Sequence, residues 1–431
     1  MRQLLFSTLG FPGDLYSEKA FIEPEIKALR DKFDRIILFP TDRFPRESGY
    51  ADALPEGVTV DWSLADDTVF HSRLLKAVYI LHPFVWRALV MMRGEARGVR
   101  QWLKGFYQAV NSVRIGYLLK RLAARNGMTP ANTVFYSMWF ADTATAMARL
   151  ALQQGWKVAT RAHTSDLYDE RQEFRSRRLR ARMLDGIRRV ICISDKGAQY
   201  LKNRYPSASA RISARHLGSS GPDVLTGKES RANSSGAAGS DRSEEVRFVT
   251  VARLDPVKQL SLIMETLAEL TLLLGEKRIM WTLIGDGECM DMLHRQAEEL
   301  SRRVPSFTVD FCGALSNADV HRYYSEEGSD WFILMSRTEG MPVSMGEAMS
   351  HGIPVISTDV GDVSELTGED SALLLPPGLT PHEYARMIVC VAADECGRQM
   401  KGEAARRRWE DSFNAAALAD ATAVDLDSLL L

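Results

Sequence analysis

The sequence predicts an α/β protein with two domains, each built on a parallel β-sheet. Short apolar strands alternate with helical patterns along most of the chain, and one Gly- and Ser-rich stretch interrupts that alternation near its middle. The length of 431 residues suits two or three domains. In open sheets of this kind, ligands bind beyond the carboxyl ends of the strands. The residues that follow each strand are therefore the first candidates for function.

Continuous apolar runs predict the buried strands, and amphipathic patterns predict the helices between them. In the first half, Ser17 is a candidate N-cap for a helix reaching Phe33, and residues 70–126 read as long, helical and rich in aromatic and arginine side chains. In the second half, helices are expected at residues 260–274 and 290–302. The predicted strands are residues 4–8, 35–39, 133–137, 157–161, 189–193, 246–251, 280–284, 308–311, 331–334, 355–357 and 372–375.

The clearest break in the chain lies at residues 219–245, where Gly, Ser, Ala and scattered charges replace the apolar periodicity. We interpret this stretch as a flexible linker or loop between a first domain, 1–218, and a second, 246–405. Residues 406–431 are expected to form a C-terminal helix compatible with a return to the first domain.

Composition and charge narrow the class of protein. No apolar run reaches the ~18 residues of a spanning helix, and the N-terminus lacks a signal-peptide cleavage pattern, so we expect a cytoplasmic protein. The five cysteines are odd in number and show no CxxC spacing, which argues against a disulfide framework or a zinc site. Residues 1–218 carry a charge of +14 and residues 219–431 a charge of −16. Such a basic half attracts either an anionic surface or the acidic half of its own chain.

The basic charge is densest at residues 171–189, which hold eight arginines. On a helix, Arg175, Arg178 and Arg182 share one face with Leu179. Such a face suits anionic lipid headgroups, with a solvated, salt-bridged helix as the alternative. Nucleic acid is disfavoured as a partner, because the run has no interleaved stacking aromatics beyond Phe174.

Two cations follow the first strand of the second domain. Arg253 and Lys258 lie where an anionic ligand would meet the end of this strand, and a guanidinium with an ammonium suits a diphosphate. Gly285 follows the next strand and permits a tight turn and a close approach by a ligand. The alternatives are solvated loop cations and an ordinary turn. No GxGxxG fingerprint is present.

The segment from Ser336 to Met349 carries the strongest signal. A strand ends near Leu334, and a helix is expected to begin around Pro342, because proline suits the first helical turn. The free N–H groups of this turn and the helix dipole would favour a phosphate. We expect those N–H groups to belong to Met341, Val343 and Ser344.

Two carboxylates bracket this helix start, Glu339 just before it and Glu347 about two turns later. Both can accept hydrogen bonds from the vicinal hydroxyls of a sugar and a ribose. In the first domain, His163 follows a predicted strand and can hydrogen-bond a sugar hydroxyl as a neutral imidazole. The other histidines show no metal-ligand spacing. Each of these residues also has a purely structural interpretation.

Together these residues resemble the retaining GT-B glycosyltransferases of family 4. The hallmark is a Glu, seven residues and a second Glu, matched here by Glu339 and Glu347. The family's Arg–Lys pair is matched by Arg253 and Lys258, and its first-domain histidine by His163. The resemblance implies two Rossmann-like domains facing across a cleft that holds a nucleotide-sugar donor.

The resemblance also implies roles for these residues. Arg253 and Lys258 would hold the donor diphosphate, Glu347 the ribose and Glu339 the sugar hydroxyls, with His163 near the reacting sugar. The leaving diphosphate would be stabilised by these cations and a helix N-terminus, so neither a metal nor another cofactor is expected. The remaining expected donor contacts are Gly10 and Gly13, in the loop after the first strand, with Gly285, Gly340, Met341, Val343 and Ser344.

The predicted function is a retaining, metal-independent glycosyltransferase, with hexosyl transfer expected, in cell-surface polysaccharide synthesis such as exopolysaccharide or lipopolysaccharide assembly. The acceptor would be a saccharide or a lipid-linked saccharide, and the basic first half would hold the protein peripherally on the inner membrane face. The alternatives are a non-catalytic nucleotide-sugar sensor or scaffold, a sugar-nucleotide epimerase and a phosphorylase. The Glu339–Glu347 pattern argues against the epimerase.

Overall fold

The computed structural model has two units, and it describes residues 1–13, 18–42, 54–68, 72, 75–169, 174, 176–222 and 244–431. The first unit comprises residues 1–217 and 415–431, and the second comprises residues 218–414. Each unit contains one all-parallel sheet with helices. This is the predicted α/β class with two Rossmann-like domains, and the prediction is confirmed.

Seven strands form the sheet of the first unit, in the order β3-β2-β1-β4-β5-β6-β7. Their inward side chains are apolar and almost fully buried, as continuous apolar strands require. The strands are β1 (Gln3–Thr8), β2 (Arg35–Pro40), β3 (Val58–Val60), β4 (Thr133–Ser137), β5 (Lys157–Ala162), β6 (Arg189–Cys192) and β7 (Ile212–Ala214).

Helices of the first unit pack on this sheet through Leu, Val, Ala and Met side chains that form one apolar core. Their ends follow local sequence rules: helix Asp142–Gln154 stops at Gly155 in the left-handed conformation, and the Ser194 side chain accepts from Gly197 N–H at the start of helix Asp195–Arg204. The helices are α1 (Lys19–Arg30), α2 (Pro83–Met92), α3 (Val99–Arg125), α4 (Asp142–Gln154), α5 (Thr164–Leu167), α6 (Arg177–Leu184) and α7 (Asp195–Arg204), with 3-10 turns at Leu75–Tyr79 and Pro206–Arg211.

The second unit has six strands in the order β10-β9-β8-β11-β12-β13. The strands are β8 (Glu245–Val251), β9 (Arg278–Ile284), β10 (Phe307–Gly313), β11 (Trp331–Leu334), β12 (Val355–Thr358) and β13 (Ala372–Leu375). The helices are α8 (Leu260–Leu274), α9 (Met290–Arg303), α10 (Asn317–Glu326), α11 (Val343–Ser350), α12 (Val363–Thr367), α13 (Pro381–Ala393) and α14 (Glu395–Ser412), with a 3-10 turn at Pro256–Lys258.

The last helix, α15 (Ala415–Asp427), belongs to the first unit and packs on α1. A 3-10 turn, Ser428–Leu430, follows it. Three arginines of the first unit bind it: Arg2 pairs with Asp427 at 2.6 Å, Arg215 with Asp425 at 2.6 Å, and Arg161 donates to Thr422 at 3.3 Å.

Several boundaries differ from the prediction. The short strands β3 and β7 were not predicted, and the helical stretch 70–126 divides into a 3-10 turn, α2 and α3. The boundary expected between 405 and 406 falls inside α14, and the change of unit comes after Asn414 instead. Ser17, the expected N-cap, lies outside the described residues. Within the described ranges, no helix is both long and apolar enough to cross a membrane.

Candidate functional site

The second unit reverses its strand order between β8 and β11, which lie side by side at the centre of the sheet. From β8 the chain builds outward through β9 and β10, and it then returns to β11 and builds the other way. A crevice opens at the carboxyl ends of strands where such a reversal occurs. The loops that follow β8 and β11 meet there, because Arg337 N–H donates to Val257 C=O at 2.8 Å.

Two of the predicted site residues meet at this reversal. Lys258 comes from the loop after β8 and Glu339 from the loop after β11, and Lys258 Nζ lies 2.6 Å from Glu339 Oε1. Their side chains are mostly buried, so water screens this ion pair less than a surface pair. The pair is a charged hydrogen bond between two residues that are 81 positions apart in the chain, and the sheet brings them together.

Arg253 has a different environment. Its side chain is 83% exposed and pairs with Asp255 at 3.1 Å. Asp255 also accepts from Val257 N–H, which fixes the turn before Lys258. The Arg253 side chain is therefore solvent-exposed, five residues before Lys258 in the chain, and it can move to contact an anion.

The first turn of α11 directs main-chain N–H groups out of the loop after β11. Pro342 is the N-cap residue, and its carbonyl accepts from Met345 and Gly346. Among the described residues, the N–H groups of Met341, Val343 and Ser344 find no acceptor. Free N–H groups at a helix start carry partial positive charge and suit an anion. Gly340 lies half-exposed just before them.

Two glycines let neighbouring loops approach this region closely. Gly361 has φ +61°, and a Cβ there would lie 2.0 Å from the Glu339 carbonyl oxygen. Gly285 has φ +144°, and a Cβ there would lie 1.8 Å from the Ala252 carbonyl oxygen. Any side chain at either position would therefore displace the loop that carries Glu339 or the one that leads to Arg253.

Glu347 lies within α11 and is buried. Burial raises the pKa of its carboxyl to about 7, against the lowering effect of hydrogen bonds from Asn317 and Ser220. The Asn317 amide donates to Glu347 Oε1 at 2.6 Å. Ser220 also bonds His321 Nε2 at 2.9 Å. No described contact joins Glu347 to Lys258 or Glu339. Of the four polar side chains predicted for the site in the second unit, the structure therefore joins two, Lys258 and Glu339, and shows no contact of Arg253 or Glu347 with them.

In the first unit, His163 follows β5 and is buried between aromatic rings, with Trp139 stacked at 4.2 Å between centroids. Burial, with a smaller effect from Arg161, lowers the pKa of this imidazole to about 3, so it is neutral at physiological pH. Neither ring nitrogen has a hydrogen-bond partner among the described residues. A buried polar ring without partners is costly, and a ligand that bonds those nitrogens would remove the cost.

The loop after β1 differs from what its glycines suggested. The N–H of Gly10 donates to Glu18 Oε2 at 2.7 Å, and the N–H of Gly13 donates to the Gly10 carbonyl at 2.8 Å. The Glu18 carboxylate also accepts from Leu9 and Phe11 N–H, at 3.1 and 3.0 Å. The backbone groups expected to face a donor phosphate are thus occupied from within the chain.

Glu18 is the polar residue that sequence reasoning missed. Besides the loop, it accepts from the indole N–H of Trp139 at 2.6 Å, and this indole stacks on His163. The one available signal was an acidic residue near a helix start, one residue before α1. One carboxylate therefore holds both the loop after β1 and the ring beside His163.

The basic run is largely structural. Arg180 is buried and donates to Asp169 and to the carbonyls of Leu167 and Asp166. Arg182 pairs with Asp185 at 3.0 Å, and Leu179 faces the core rather than sharing an exposed face. Arg175 lies outside the described residues. The expected lipid-binding face on this helix is therefore reduced to exposed Arg178 and Arg182.

Comparison with protein families matches residues 245–394 to the family described as glycosyl transferases group 1. This match contains the Lys258–Glu339 pair, the start of α11 and Glu347. In sequence, 95 residues are 35% identical to a protein of Bacillus subtilis (strain 168) named as a putative teichuronic acid biosynthesis glycosyltransferase, TuaC. That alignment spans 22% of this chain and 21% of the relative. The second unit therefore contains a segment that is similar to glycosyl transferases group 1.

Solved structures match over the full length. A sucrose-phosphate synthase from Thermosynechococcus elongatus has a TM-score of 0.66 and 17% identity, covering 100% of this chain and 99% of that one. The Anabaena protein HepE, in complex with UDP, has a TM-score of 0.61 and 16% identity, covering 99% and 100%. At these identities the likeness shows the fold, which is the GT-B glycosyltransferase fold.

Proposed function

We propose that this protein is a glycosyltransferase that moves a sugar from a nucleotide-diphosphate donor to a saccharide acceptor. The observation that carries the proposal is the Lys258–Glu339 pair at the strand reversal of the second unit, beside the open N–H groups that begin α11. A cation and free N–H groups suit a diphosphate, and a carboxylate suits sugar hydroxyls. The match of this same segment to glycosyl transferases group 1 supports the assignment.

In this proposal the second unit binds the donor. Lys258 shares its charge between Glu339 and the diphosphate, while Arg253 swings from solvent onto the same group. The N–H groups of Met341, Val343 and Ser344 add their dipoles, with Gly340 and Gly285 permitting close approach. Glu339 accepts from sugar hydroxyls and Glu347 from the ribose. The diphosphate gains negative charge as it leaves, so these fixed positive groups lower the barrier without requiring a metal.

His163 is proposed to hydrogen-bond the transferred sugar, because its two ring nitrogens are buried without partners. A neutral imidazole both donates and accepts, which matches a hydroxyl. Gly10 and Gly13 are proposed to contact the ligand through loop atoms other than their N–H groups. Glu18 then acts as the residue that holds this loop and Trp139 in place.

We propose further that the sugar is a hexose and that transfer retains the anomeric configuration, by attack on the donor's own face. Glu339 is tied to Lys258, which disfavours it as a covalent nucleophile. The acceptor is proposed to be a growing cell-surface polysaccharide, free or lipid-linked, at the cytoplasmic membrane face. The B. subtilis relative, which is named as a putative teichuronic acid biosynthesis glycosyltransferase, supports this acceptor class.

A thermal-shift panel of UDP, GDP, ADP and their sugars tests the donor site, using wild type, Lys258→Ala and a control, Arg303→Ala, at an exposed position. A ligand at 100 times its Kd should stabilise the protein by about 2.7 kcal/mol. We expect one nucleotide family to raise the Tm of wild type and Arg303→Ala, and to have little effect on Lys258→Ala. No shift with any nucleotide would contradict the proposal.

Turnover separates an enzyme from a sensor. Chromatography of the donor that binds should show hydrolysis or transfer in wild type, unchanged by EDTA if no metal is needed. A protein that binds a nucleotide sugar and leaves it intact would be a sensor or scaffold. Isomerisation of the bound sugar without transfer would instead indicate an epimerase.

A further inference from the structure

The first unit exposes apolar side chains on a pair of adjacent helices, α2 and α3. On α2, the inward residues Val85, Ala88 and Met92 are fully buried, yet the outward residues Trp86 and Val90 are also apolar. Their exposed fractions are 54% and 69%. A helix that is apolar on both faces is normally covered on both. The outward face of α2 is thus not explained by the fold of its own unit.

The segments on either side of α2 in the chain also expose apolar side chains. Leu81, just before α2, is 84% exposed, and Val99 and Leu103, one turn apart at the start of α3, are 76% and 58% exposed. A groove of about 650 Å³ runs along the surface here and is lined by Trp86, Val90 and Trp102 among others. A groove lined by exposed apolar side chains, with further exposed apolar residues on the adjoining segments, favours an interaction site over ordinary surface.

Basic side chains surround this patch. Arg87 and Arg93 line the same groove, Arg97 is exposed in the connection to α3, and Arg100 is exposed in the first turn of α3. Between residues 78 and 104 the only acidic residue is Glu95, which is half-buried and accepts from Ser176 Oγ at 2.6 Å. Within residues 78–104, the exposed charged side chains are therefore all positive.

The α6 helix extends this basic border. Arg178 is exposed and donates to the Arg93 carbonyl at 3.3 Å, and its guanidinium lies 3.9 Å from Glu95, so this arginine of the basic run lies beside the end of α2. Arg87 and Arg93 line the groove with Trp86, and Arg178 contacts Arg93. Tryptophan and aliphatic side chains next to arginines are the composition of a helix that lies in a membrane interface.

We propose that the α2–α3 surface, defined by Leu81, Trp86, Val90, Val99 and Leu103 with the arginines around them, docks onto an anionic lipid bilayer. The apolar side chains insert among the headgroups and upper acyl chains, and the arginines bind lipid phosphates. A neutral apolar partner would not need this positive border, and a second copy of the same surface would bring like charges together. The inference deepens the proposed lipid-linked acceptor, but it stands on this surface and does not depend on catalysis.

Flotation of the full chain with vesicles tests the proposal. The vesicles are phosphatidylcholine alone, or phosphatidylcholine with phosphatidylglycerol. We expect wild type to bind only the anionic vesicles, and less in high salt because added ions screen the arginines. Trp86→Ser with Val90→Ser should weaken binding at least ~10-fold, since each buried apolar side chain contributes strongly to insertion. Arg87→Gln with Arg93→Gln should weaken it by about fivefold for each arginine removed.

The matched control is Leu272→Ser, which removes an exposed apolar residue (61%) from α8 of the second unit. This variant should bind vesicles as wild type does. All variants should keep their unfolding temperature and their nucleotide thermal shift, so a failed donor site and a failed membrane surface give different results.

Three outcomes would overturn the proposal: no binding to anionic vesicles, equal binding to neutral ones, or unchanged binding by the Trp86→Ser, Val90→Ser variant. A concentration-dependent dimer in light scattering that the same double variant abolishes would assign the surface to a second copy of the chain, which also overturns it.

Discussion

Two strand-end loops of the same kind differ in what their backbone N–H groups bind. The loop after β1 gives the N–H groups of Leu9, Gly10 and Phe11 to Glu18, a carboxylate of its own unit. The loop after β11 leads into α11 and leaves the N–H groups of Met341, Val343 and Ser344 without an acceptor among the described residues. One loop is therefore filled by the chain itself and the other is open to a ligand.

The difference shows that glycines after a strand do not by themselves make an anion site. A strand-end loop stays open to an anion only when no carboxylate of the same unit accepts hydrogen bonds from its N–H groups. Glu18 is 1% exposed and binds main chain, so it serves the fold. Glu339 meets a lysine at the end of the neighbouring strand, so its charge is balanced by a group that an anion also attracts. Substitutions at Glu339 and Gly361 test the open loop, and a substitution at Glu18 tests the filled loop.

Glu339→Gln has the largest expected effect and tests the open loop. Loss of one preorganised charged contact should lower donor turnover by about 100- to 1000-fold. The free energy of unfolding should fall by about 2 kcal/mol, because the mostly buried Lys258 loses its charged partner but keeps an amide oxygen as acceptor. Steady-state kinetics and urea denaturation measure the two effects. A variant that loses stability but keeps turnover would make Glu339 a structural residue.

Glu18→Gln tests the filled loop. Glutamine offers one acceptor oxygen where Glu18 uses two, and its amide would face N–H donors. We expect the free energy of unfolding to fall by about 4 kcal/mol, because a buried charged network loses its centre. Urea denaturation measures it. Glu23→Gln, at an exposed position of α1, is the matched control and should leave stability unchanged. Equal stability of the two variants would show that Glu18 is not needed to hold the loop.

Buried titratable groups in the two units should respond to pH in opposite directions. The pKa of Glu347 is raised from 4.5 to about 7, so its contribution to stability is present below pH 4.5 and is lost as pH rises through 7. At about 1.4 kcal/mol per pKa unit, that loss is about 3 kcal/mol. The pKa of His163 is lowered from 6.5 to about 3, so its contribution is present above pH 6.5 and is lost as pH falls toward 3.

Urea denaturation across pH measures both effects. Glu347→Gln should gain stability relative to wild type as pH rises from 5 to 8. His163→Gln should gain relative to wild type as pH falls from 7 to 4. A constant difference from wild type across the range would contradict the assignment for that residue.

Gly361→Ala has the smallest expected effect, and it disturbs the open loop through the main chain of Glu339 rather than through its side chain. Its Cβ would meet the Glu339 carbonyl, so we expect a loss of about 2 kcal/mol in stability and roughly tenfold in turnover. Gly352→Ala is the control, because it has a similar φ of +72° with its nearest contact at 3.6 Å. The control should cost about 1 kcal/mol and leave turnover intact. Equal turnover in the two variants would separate Gly361 from the site.

Sequence patterns predicted the central strands well, because fully buried parallel strands are continuous apolar runs that need no context. The strands β4, β11 and β13 have the predicted bounds. The short strands β3 and β7 were missed, because three residues at a sheet edge carry too few apolar positions to form a pattern. The break between α2 and α3 also went unseen, since the connection keeps the arginine-rich composition of its neighbours.

Site residues could be predicted from sequence where they directly follow a predicted strand. Lys258 and Glu339 follow strands, and parallel strands bring their carboxyl ends to one edge. Their 2.6 Å pairing, however, depends on β8 and β11 being neighbours, which requires the strand order. The roles of Glu18 and Arg180 were not predictable either, because both bind main-chain groups whose positions are set by tertiary structure.

The placement of α15 bears on how the chain acquires its fold. Residues 1–217 lack the helix that packs on α1 and binds Arg2, Arg161 and Arg215, while the second unit is one uninterrupted segment. A ribosome therefore releases all of the second unit before the first can be completed. The later part of the chain is able to fold as soon as it emerges, whereas the earlier part must wait, with an uncovered surface on α1, until the last helix arrives.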